Sequence, residues 1–176
     1  MITIKNNKLI NYGNRGMTLE NDINLTNDYY REKEIALIYK KPTPIKVLKV
    51  NETKTRIKDG FYEQKSTLDY NGVCKGKYIE FDAKETNSKT SFPISNIHPH
   101  QINHIKNVLI HKGIVFLIIR FNYFNKTYLL PGKILINYLN TSQKKSIPIK
   151  FFNDNCQEIE LKYSPRLDYI KTIDIL

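Results

Sequence analysis

Residues 66–86 read STLDYNGVCKGKYIEFDAKET, and the predictions for the rest of the chain depend on this stretch. From residue 78 to residue 84, polar or amphipathic side chains alternate strictly with apolar ones, which is typical of a β-strand with one buried face. Because successive side chains of a strand point to opposite faces, one face would hold chemistry and the other would join the core. The chemical face consists of Tyr78, Glu80, Asp82 and Lys84, and the core face of Ile79, Phe81 and Ala83.

The segment before this strand adds further polar side chains. Thr67 and Asp69 stand two positions apart, so they share a face if the segment is extended. The Asn-Gly and Lys-Gly pairs that follow are typical turn residues ahead of a second strand. A hairpin of this kind would bring Asp69 close to Asp82 and Lys84.

Neighbouring carboxylates beside a lysine indicate metal-dependent chemistry on phosphate. Such carboxylates repel one another unless a cation lies between them, and Mg²⁺ takes carboxylate oxygens while keeping water and phosphate oxygens in its other positions. A lysine beside the metal stabilises the charge that builds on phosphorus. An acidic residue followed by D/E-x-K is the short signature of a large nuclease superfamily. The spacing alone fits a solvated strand face with cross-strand ion pairs equally well.

The wider sequence resembles the RecU family of Holliday junction resolvases. The resemblance is carried by residues 66–86, KTSFPISNIHPHQ (89–101), NYGNRGMTLENDINLTNDYY (11–30), KKPTPIKVLKV (40–50) and YLLPGK (128–133), and it covers roughly residues 11–139. It implies an α/β fold of the PD-(D/E)xK, restriction-endonuclease-like type. In that fold a mixed sheet is flanked by helices, and a basic stalk protrudes.

The resemblance also implies a set of roles. Mg²⁺ or Mn²⁺ would be the cofactor, held by Thr67, Asp69, Asp82 and Gln101. Lys84 would stabilise the transition state, and the catalytic residue Glu20 would lie near the metal, although its carboxylate also suits the N-terminal dipole of its own helix. The implied activity is cleavage of four-way junction DNA by a homodimer in recombination and repair, with a branch-migration helicase and a recombinase as further partners.

Two positions depart from the family's pattern. Leu68 stands where the family usually has Thr immediately before the catalytic Asp, and Asp82 stands where it usually has Glu. Thr67 is kept, two positions before Asp69. The side chain of Asp82 is one methylene shorter than that of glutamate, so weaker metal binding and reduced activity are expected.

Composition and charge favour an anionic partner. The chain has 176 residues, the length of one domain, and a formal net charge of +11. Nucleic acid is therefore expected first, and a membrane surface is less favoured because no basic amphipathic helix or long apolar run stands out. The presence of only Cys74 and Cys156, without a secretory signal, indicates a reduced, cytoplasmic protein.

Residues 1–16 are polar, basic and punctuated by glycine. This composition fits either a flexible arm that binds DNA through residues such as Arg15 or a disordered tail. Residues 17–176 would form a single nuclease domain. Its first element is predicted to be a helix over about residues 17–40, with Thr18 as the N-cap, ended by Pro42 and Pro44.

A basic excursion, residues 43–62, is predicted between this helix and the catalytic strands. From residue 40 to residue 65 there are eight Lys and Arg against three acidic residues. By resemblance the excursion is the stalk that engages the junction centre, with Lys54, Arg56 and Lys58 as DNA contacts. The charge pattern alone favours an ordinary solvated hairpin.

The remaining sequence completes an α/β layout. A helix is predicted from Pro99 to about His111, then buried strands over 114–121 and 127–130, then a short helix after Pro131. His100 and His104 have a spacing that suits Zn²⁺, but no third ligand is evident. Residues 141–176 have no place in the resemblance, and an edge strand or an arm around a partner subunit would both fit.

The sequence thus predicts a structure-specific endodeoxyribonuclease that resolves four-way junctions by symmetric, Mg²⁺-dependent cleavage. Another restriction-like nuclease is the alternative within the enzymes. A DNA-binding recombination protein that does not cleave is the alternative from a different class.

Overall fold

The computed structural model describes residues 18–42, 44–62 and 67–173. The helices among them are α1 (Leu19–Glu32), α2 (Pro99–Ile110), α3 (Gly132–Thr141) and α4 (Ile149–Asn155). The strands are β1 (Leu37–Lys40), β2 (Ile45–Val50), β3 (Ile57–Tyr62), β4 (Tyr70–Cys74), β5 (Lys77–Thr86), β6 (Ser91–Pro93), β7 (Ile114–Phe121), β8 (Lys126–Pro131), β9 (Ser146–Pro148) and β10 (Gln157–Glu158).

A six-stranded sheet in the order β1-β4-β5-β7-β8-β10 forms the centre of the fold. Strands β5 and β7 run parallel, whereas the other neighbours are antiparallel, so the predicted mixed sheet is confirmed. In the β4–β5 pairing, Tyr70 lies opposite Phe81 and Asn71 opposite Glu80. The same register, continued by one residue, places Asp69 opposite Asp82.

Each face of this sheet carries its own apolar core. On one face, α1 and the C-terminal segment (residues 157–173) cover a cluster in which the ring of Phe81 stacks on Tyr70 and on Phe116, each at a centroid distance of 4.8 Å. Ile79 belongs to the same cluster and Ala83 packs against it, so the predicted core face of β5 is confirmed. On the other face, α2, α3 and α4 cover apolar side chains of β7 and β8.

The C-terminal segment is tied to α1 by buried polar contacts. Tyr30 donates its hydroxyl to Asp168 Oδ1 at 2.9 Å, and the Leu167 amide donates to Thr26 Oγ1 at 2.9 Å. Strand β10 pairs with β8 at the edge of the sheet. The edge strand expected within residues 141–176 is therefore present, and much of this region packs on its own chain.

The first helix is shorter than predicted. Helix α1 begins after its N-cap Thr18, as expected, but it ends at Glu32, and Leu37–Lys40 form strand β1. Glu34 has a left-handed backbone with φ 56°, which breaks the helix. Pairing with β4 then holds the following residues extended, so the prediction of helix over residues 33–40 was wrong, and Pro42 and Pro44 follow a strand.

Strands β2 and β3 form a separate two-stranded antiparallel sheet within the predicted excursion. All the residues of β2 are exposed, which agrees with a surface hairpin. The predicted arm of residues 1–16, including Arg15, lies outside the described residues. Across residues 18–42, 44–62 and 67–173, we find no helix with the length and hydropathy needed to cross a bilayer.

Candidate active site

Asp82 is the central residue of the predicted chemical face, and its side chain is fully buried. Its Oδ2 accepts a hydrogen bond from Gln101 Nε2 at 2.5 Å and lies 2.9 Å from Lys84 Nζ. Its Oδ1 is also buried but has no hydrogen-bond partner among the residues that the structure describes. A buried carboxylate oxygen is costly to leave unpaired, so this atom is a natural ligand for a cation.

Asp69 lies immediately before strand β4, close to Asp82. Burial, followed by the adjacent Asp82 carboxylate, raises the pKa of Asp69 to about 6, although Lys84 and Lys40 oppose the shift. The two carboxylates therefore repel each other, as predicted from the sequence. A divalent cation bound between them would relieve that repulsion.

Gln101 is held in one orientation by the first turn of α2. Its Oε1 accepts a hydrogen bond at 3.1 Å from the backbone N–H of His98, a group that can only donate. The Nε2 group must then face Asp82, whose Oδ2 it contacts. Gln101 therefore positions the Asp82 carboxylate through Oδ2, so that Oδ1 of Asp82 can bind another ligand.

Glu80 forms a second buried carboxylate centre on the same face of β5. It binds Lys41 in an ion pair, accepts a hydrogen bond from the Tyr78 hydroxyl at 2.9 Å and lies 2.8 Å from His104 Nε2. Burial raises the pKa of Glu80, but hydrogen bonds from Lys41, His104 and Tyr78 outweigh burial and lower it overall. Glu80 is therefore an anion whose oxygens are already occupied.

Thr67 belongs to this second centre. Lys41 Nζ donates to Thr67 Oγ1 at 2.7 Å, and the Thr67 hydroxyl lies 3.3 Å from Glu80 Oε1. The backbone amide of Lys41 also donates to the carbonyl of Asp69 at 2.7 Å. Lys41 thus links Thr67 and Asp69, the two residues that the sequence placed on one face.

Sequence reasoning did not assign a role to Lys41 or His104 in the site. The only signal was the position of Glu80 on the predicted chemical face, since its partners come from 39 residues upstream and 24 residues downstream. His104 is engaged with Glu80, while the ring of His100 stacks on His98 at a centroid distance of 5.4 Å. The described residues contain no group of three or more His, Cys, Asp or Glu arranged to hold a metal ion.

Glu20 and Leu68 are two further positions that the sequence analysis singled out, and the structure places both. Glu20 forms a surface ion pair with Lys40 in the first turn of α1, and its role in catalysis stays a prediction. Leu68 is fully buried and belongs to the apolar cluster on the α2 face. Its side chain contributes to packing at the position where the family pattern has Thr.

Three of the predicted DNA contacts lie on the β2–β3 hairpin: Lys54 and Arg56 in its turn, and Lys58 at the start of β3. Asn51 Oδ1 accepts hydrogen bonds from the backbone amides of Thr55 at 2.8 Å and Arg56 at 2.9 Å, which orders the turn. Lys54, Arg56 and Lys58 are all exposed. The structure therefore presents these cations to solvent.

An Asp-x-Lys strand facing a second carboxylate, in the middle of a mixed sheet, is typical of nucleases with the D/E-x-K signature. Comparison with known families then gives the family directly. The chain belongs to the RecU family, described as Recombination protein U, whose model matches residues 14–175. The family resemblance drawn from the sequence is confirmed, and it extends into the C-terminal segment that had no place in it.

Its relatives are similar along nearly the whole chain. The chain is 50% identical over 170 residues to the Holliday junction resolvase RecU of Geobacillus sp. (strain WCH70), covering 93% of this chain and 85% of that protein. It is 49% identical over 169 residues to the protein of that name from Geobacillus kaustophilus, covering 93% and 84%. The corresponding protein of Oceanobacillus iheyensis is 47% identical over 171 residues, covering 94% and 87%.

Proposed function

We propose that this chain is a Holliday junction resolvase that cuts four-way DNA junctions. The observation that carries the proposal is the 50% identity, over 93% of the chain, to a protein named for that activity. The paired Asp69 and Asp82 carboxylates with Lys84 beside them provide chemistry that suits phosphodiester cleavage. The net charge of +11 suits a DNA substrate.

Asp69 and Asp82 are the residues that would hold Mg²⁺ or Mn²⁺. The Thr67 hydroxyl, which contacts Lys41 and Glu80, would have to turn away from them to join the cation. Bound there, the cation would supply charge stabilisation at phosphorus and a more acidic water. The buried, unpaired Oδ1 of Asp82 and the raised pKa of Asp69 both fit a cation-binding pair. Gln101 fixes the Asp82 carboxylate in the orientation that this requires.

Lys84 is the residue that stabilises the transition state in this proposal. Its Nζ lies 2.9 Å from Asp82 Oδ2, and its side chain is 19% exposed. A partly buried ammonium group is screened less by water than a surface one, so it interacts more strongly with charge developing on a phosphate. The remaining exposure leaves a route for the DNA to reach it.

The same proposal assigns junction binding to the β2–β3 hairpin and activity to a homodimer. An exposed, basic hairpin suits a stalk at the junction centre, with Lys54, Arg56 and Lys58 on phosphates. Resolution requires cuts in two strands, while the chain carries a single Asp-x-Lys site of this kind. Two subunits related by a two-fold axis would match the symmetry of the junction.

Incubation with Mg²⁺ and synthetic DNA tests the function. The protein should cut a four-way junction at symmetric positions and leave a linear duplex of the same sequence intact. Equal cleavage of both substrates would indicate a general restriction-like nuclease. Binding of junctions without cleavage at any Mg²⁺ or Mn²⁺ concentration would indicate a recombination protein that only binds DNA.

A further inference from the structure

The turn between β7 and β8 presents two aromatic side chains to solvent. Tyr123 is 60% exposed and Phe124 is 42% exposed, and their rings meet edge to face at a centroid distance of 5.0 Å. Lys89 places its ammonium group 4.1 Å from the centre of the Tyr123 ring. These three side chains form what we term the aromatic turn patch.

The patch is attached to the end of the catalytic strand. The backbone amide of Asn122 donates to the carbonyl of Thr86 at 2.9 Å, and Asn122 Nδ2 donates to Asn87 Oδ1 at 3.0 Å. Thr86 is two residues beyond Lys84 on β5. At about 3.3 Å per residue along a strand, Thr86 lies about 7 Å from Lys84, and the patch begins one residue beyond the Asn122 that Thr86 binds.

The turn has a defined conformation. The amide of Phe124 donates to the carbonyl of Phe121 at 3.1 Å, and Asn125 adopts the left-handed region with φ 51°. Asn tolerates that region better than most residues, so the sequence suits the turn. The aromatic rings are therefore presented on a tight, hydrogen-bonded turn.

The chemistry of the patch fits unpaired nucleotides. A nucleic-acid base can stack on an exposed aromatic ring whatever its sequence, and a neighbouring lysine neutralises the adjoining phosphate. A strand rises about 3.4 Å per nucleotide in a duplex and spans more when it is unpaired, so the patch lies within a few nucleotides of a phosphate bound at Lys84. Bases that lose their partners at the centre of a junction would lie within that reach.

We propose that Tyr123, Phe124 and Lys89 bind unpaired bases of the junction strand next to the cleaved phosphate. This inference rests on the proposed function for the identity of its substrate. The patch adds a stacking surface to a site whose other DNA contacts are charges. Its position beyond Lys84 places it on one side of the cut, so it would help to select which phosphate enters the site.

Binding measurements with a four-way junction test the patch. The double variant Tyr123→Ala/Phe124→Ala should bind the junction about tenfold more weakly, because each stacked base contributes substantially to single-strand affinity. Tyr123→Phe should bind like the wild type, since it keeps the ring. Tyr163→Ala is the matched control, because Tyr163 is a 96% exposed tyrosine on a different loop and its loss should change nothing.

A fluorescent adenine analogue, 2-aminopurine, locates the contact. Placed one to four nucleotides from the cut in the junction, it should be quenched when the wild-type protein binds in Ca²⁺, and much less by the double variant. Equal affinity and equal quenching for the two proteins would overturn the inference, whether or not the wild type cuts DNA. A changed oligomeric state with unchanged junction binding would also overturn it and identify the patch as a protein interface.

Discussion

Gln101 and Asp82 are joined by a 2.5 Å hydrogen bond that connects the first turn of α2 to the central strand β5. The bond occupies one oxygen of the carboxylate, and the other is buried without a hydrogen-bond partner in residues 18–42, 44–62 and 67–173. Mutation of a residue that orients a metal-binding carboxylate typically lowers metal affinity or activity 10–100-fold, which corresponds to a free-energy change of about 1–3 kcal/mol. Gln101→Ala should therefore lower cleavage by about one to two orders of magnitude.

The Gln101→Glu variant gives a sharper version of this test. Its second oxygen can still accept from the His98 amide, but a carboxylate cannot donate to Asp82, so the variant should lose activity like Gln101→Ala. Metal titration by calorimetry measures affinity without cleavage. Full activity in both variants would show that Asp82 is oriented without Gln101.

Asp69→Asn and Asp82→Asn should each abolish junction cleavage while leaving junction binding nearly intact. Affinity for DNA comes mainly from Lys and Arg on phosphates, and removal of a carboxylate reduces repulsion. Gel-shift and single-turnover cleavage assays on the same junction measure the two properties. Retained cleavage in both variants would contradict the assignment of the carboxylate pair.

Lys84→Ala should reduce single-turnover cleavage by about 10²–10³-fold, the typical effect of losing one group that stabilises transition-state charge. Junction affinity should change little, because the substrate phosphate carries less charge than the transition state. Lys126→Ala is a suitable control, since this lysine pairs with Glu158 in an exposed ion pair. An unchanged rate for Lys84→Ala would exclude its catalytic role.

Mg²⁺ should stabilise the protein at about pH 8 and much less at about pH 5. The pKa of Asp69 is raised to about 6 by burial and by Asp82, so near pH 5 the folded protein keeps a proton that the unfolded chain has largely released. Without metal, the contribution of Asp69 to the free energy of unfolding therefore decreases as pH rises from about 4 to about 6.

Thermal melts with and without Mg²⁺ at several pH values measure this effect. Above about pH 6 Asp69 has released its proton, and the cation relieves its repulsion with the neighbouring carboxylate. Below about pH 6, the cation must displace the proton that Asp69 holds. Asp69→Asn should show little dependence of the melting temperature on Mg²⁺ at either pH, and a large shift in that variant would place the cation elsewhere.

Asp22→Ala should destabilise the protein by about 3–5 kcal/mol, the usual cost of leaving a buried ion pair without one partner. Asp22 lies 2.7 Å from Arg120 and 2.9 Å from Arg166, and its side chain is 1% exposed. Asp28→Ala removes an exposed pair with Arg31 and should cost about 1 kcal/mol or less. Urea unfolding of both variants gives the comparison, and equal losses would contradict the argument from burial.

Local sequence patterns were sufficient to predict much of the sheet and the position of the carboxylate pair. Strict alternation in residues 78–84 identified both faces of β5, and Pro99 marked the start of α2. The opposition of Asp69 and Asp82 followed from a predicted hairpin, which turns at Lys75-Gly76. These features depend on residues close together in the chain, which is why a pattern can reveal them. The prediction of a turn at Asn71-Gly72 was wrong, because these two residues lie within β4 and pair with Glu80 and Ile79.

The sequence-based predictions missed features that depend on residues far apart in the chain. Residues 33–40 have apolar spacing that fits a helix, but pairing with β4 holds Leu37–Lys40 in a strand instead. Lys41 and His104 enter the site only because Glu80, 39 and 24 residues away, binds them. No local pattern indicates such partners.

The contact between Tyr30 and Asp168 spans 138 residues, so it cannot form until both have been synthesised. A ribosome delivers α1 well before the C-terminal segment, so the part of the buried face of α1 that this segment covers stays open until residue 173 has emerged. A domain that folds as a unit cannot complete such packing before both parts have been synthesised. The candidate active site, which lies on the same sheet, would then be completed only after residue 173 has been synthesised.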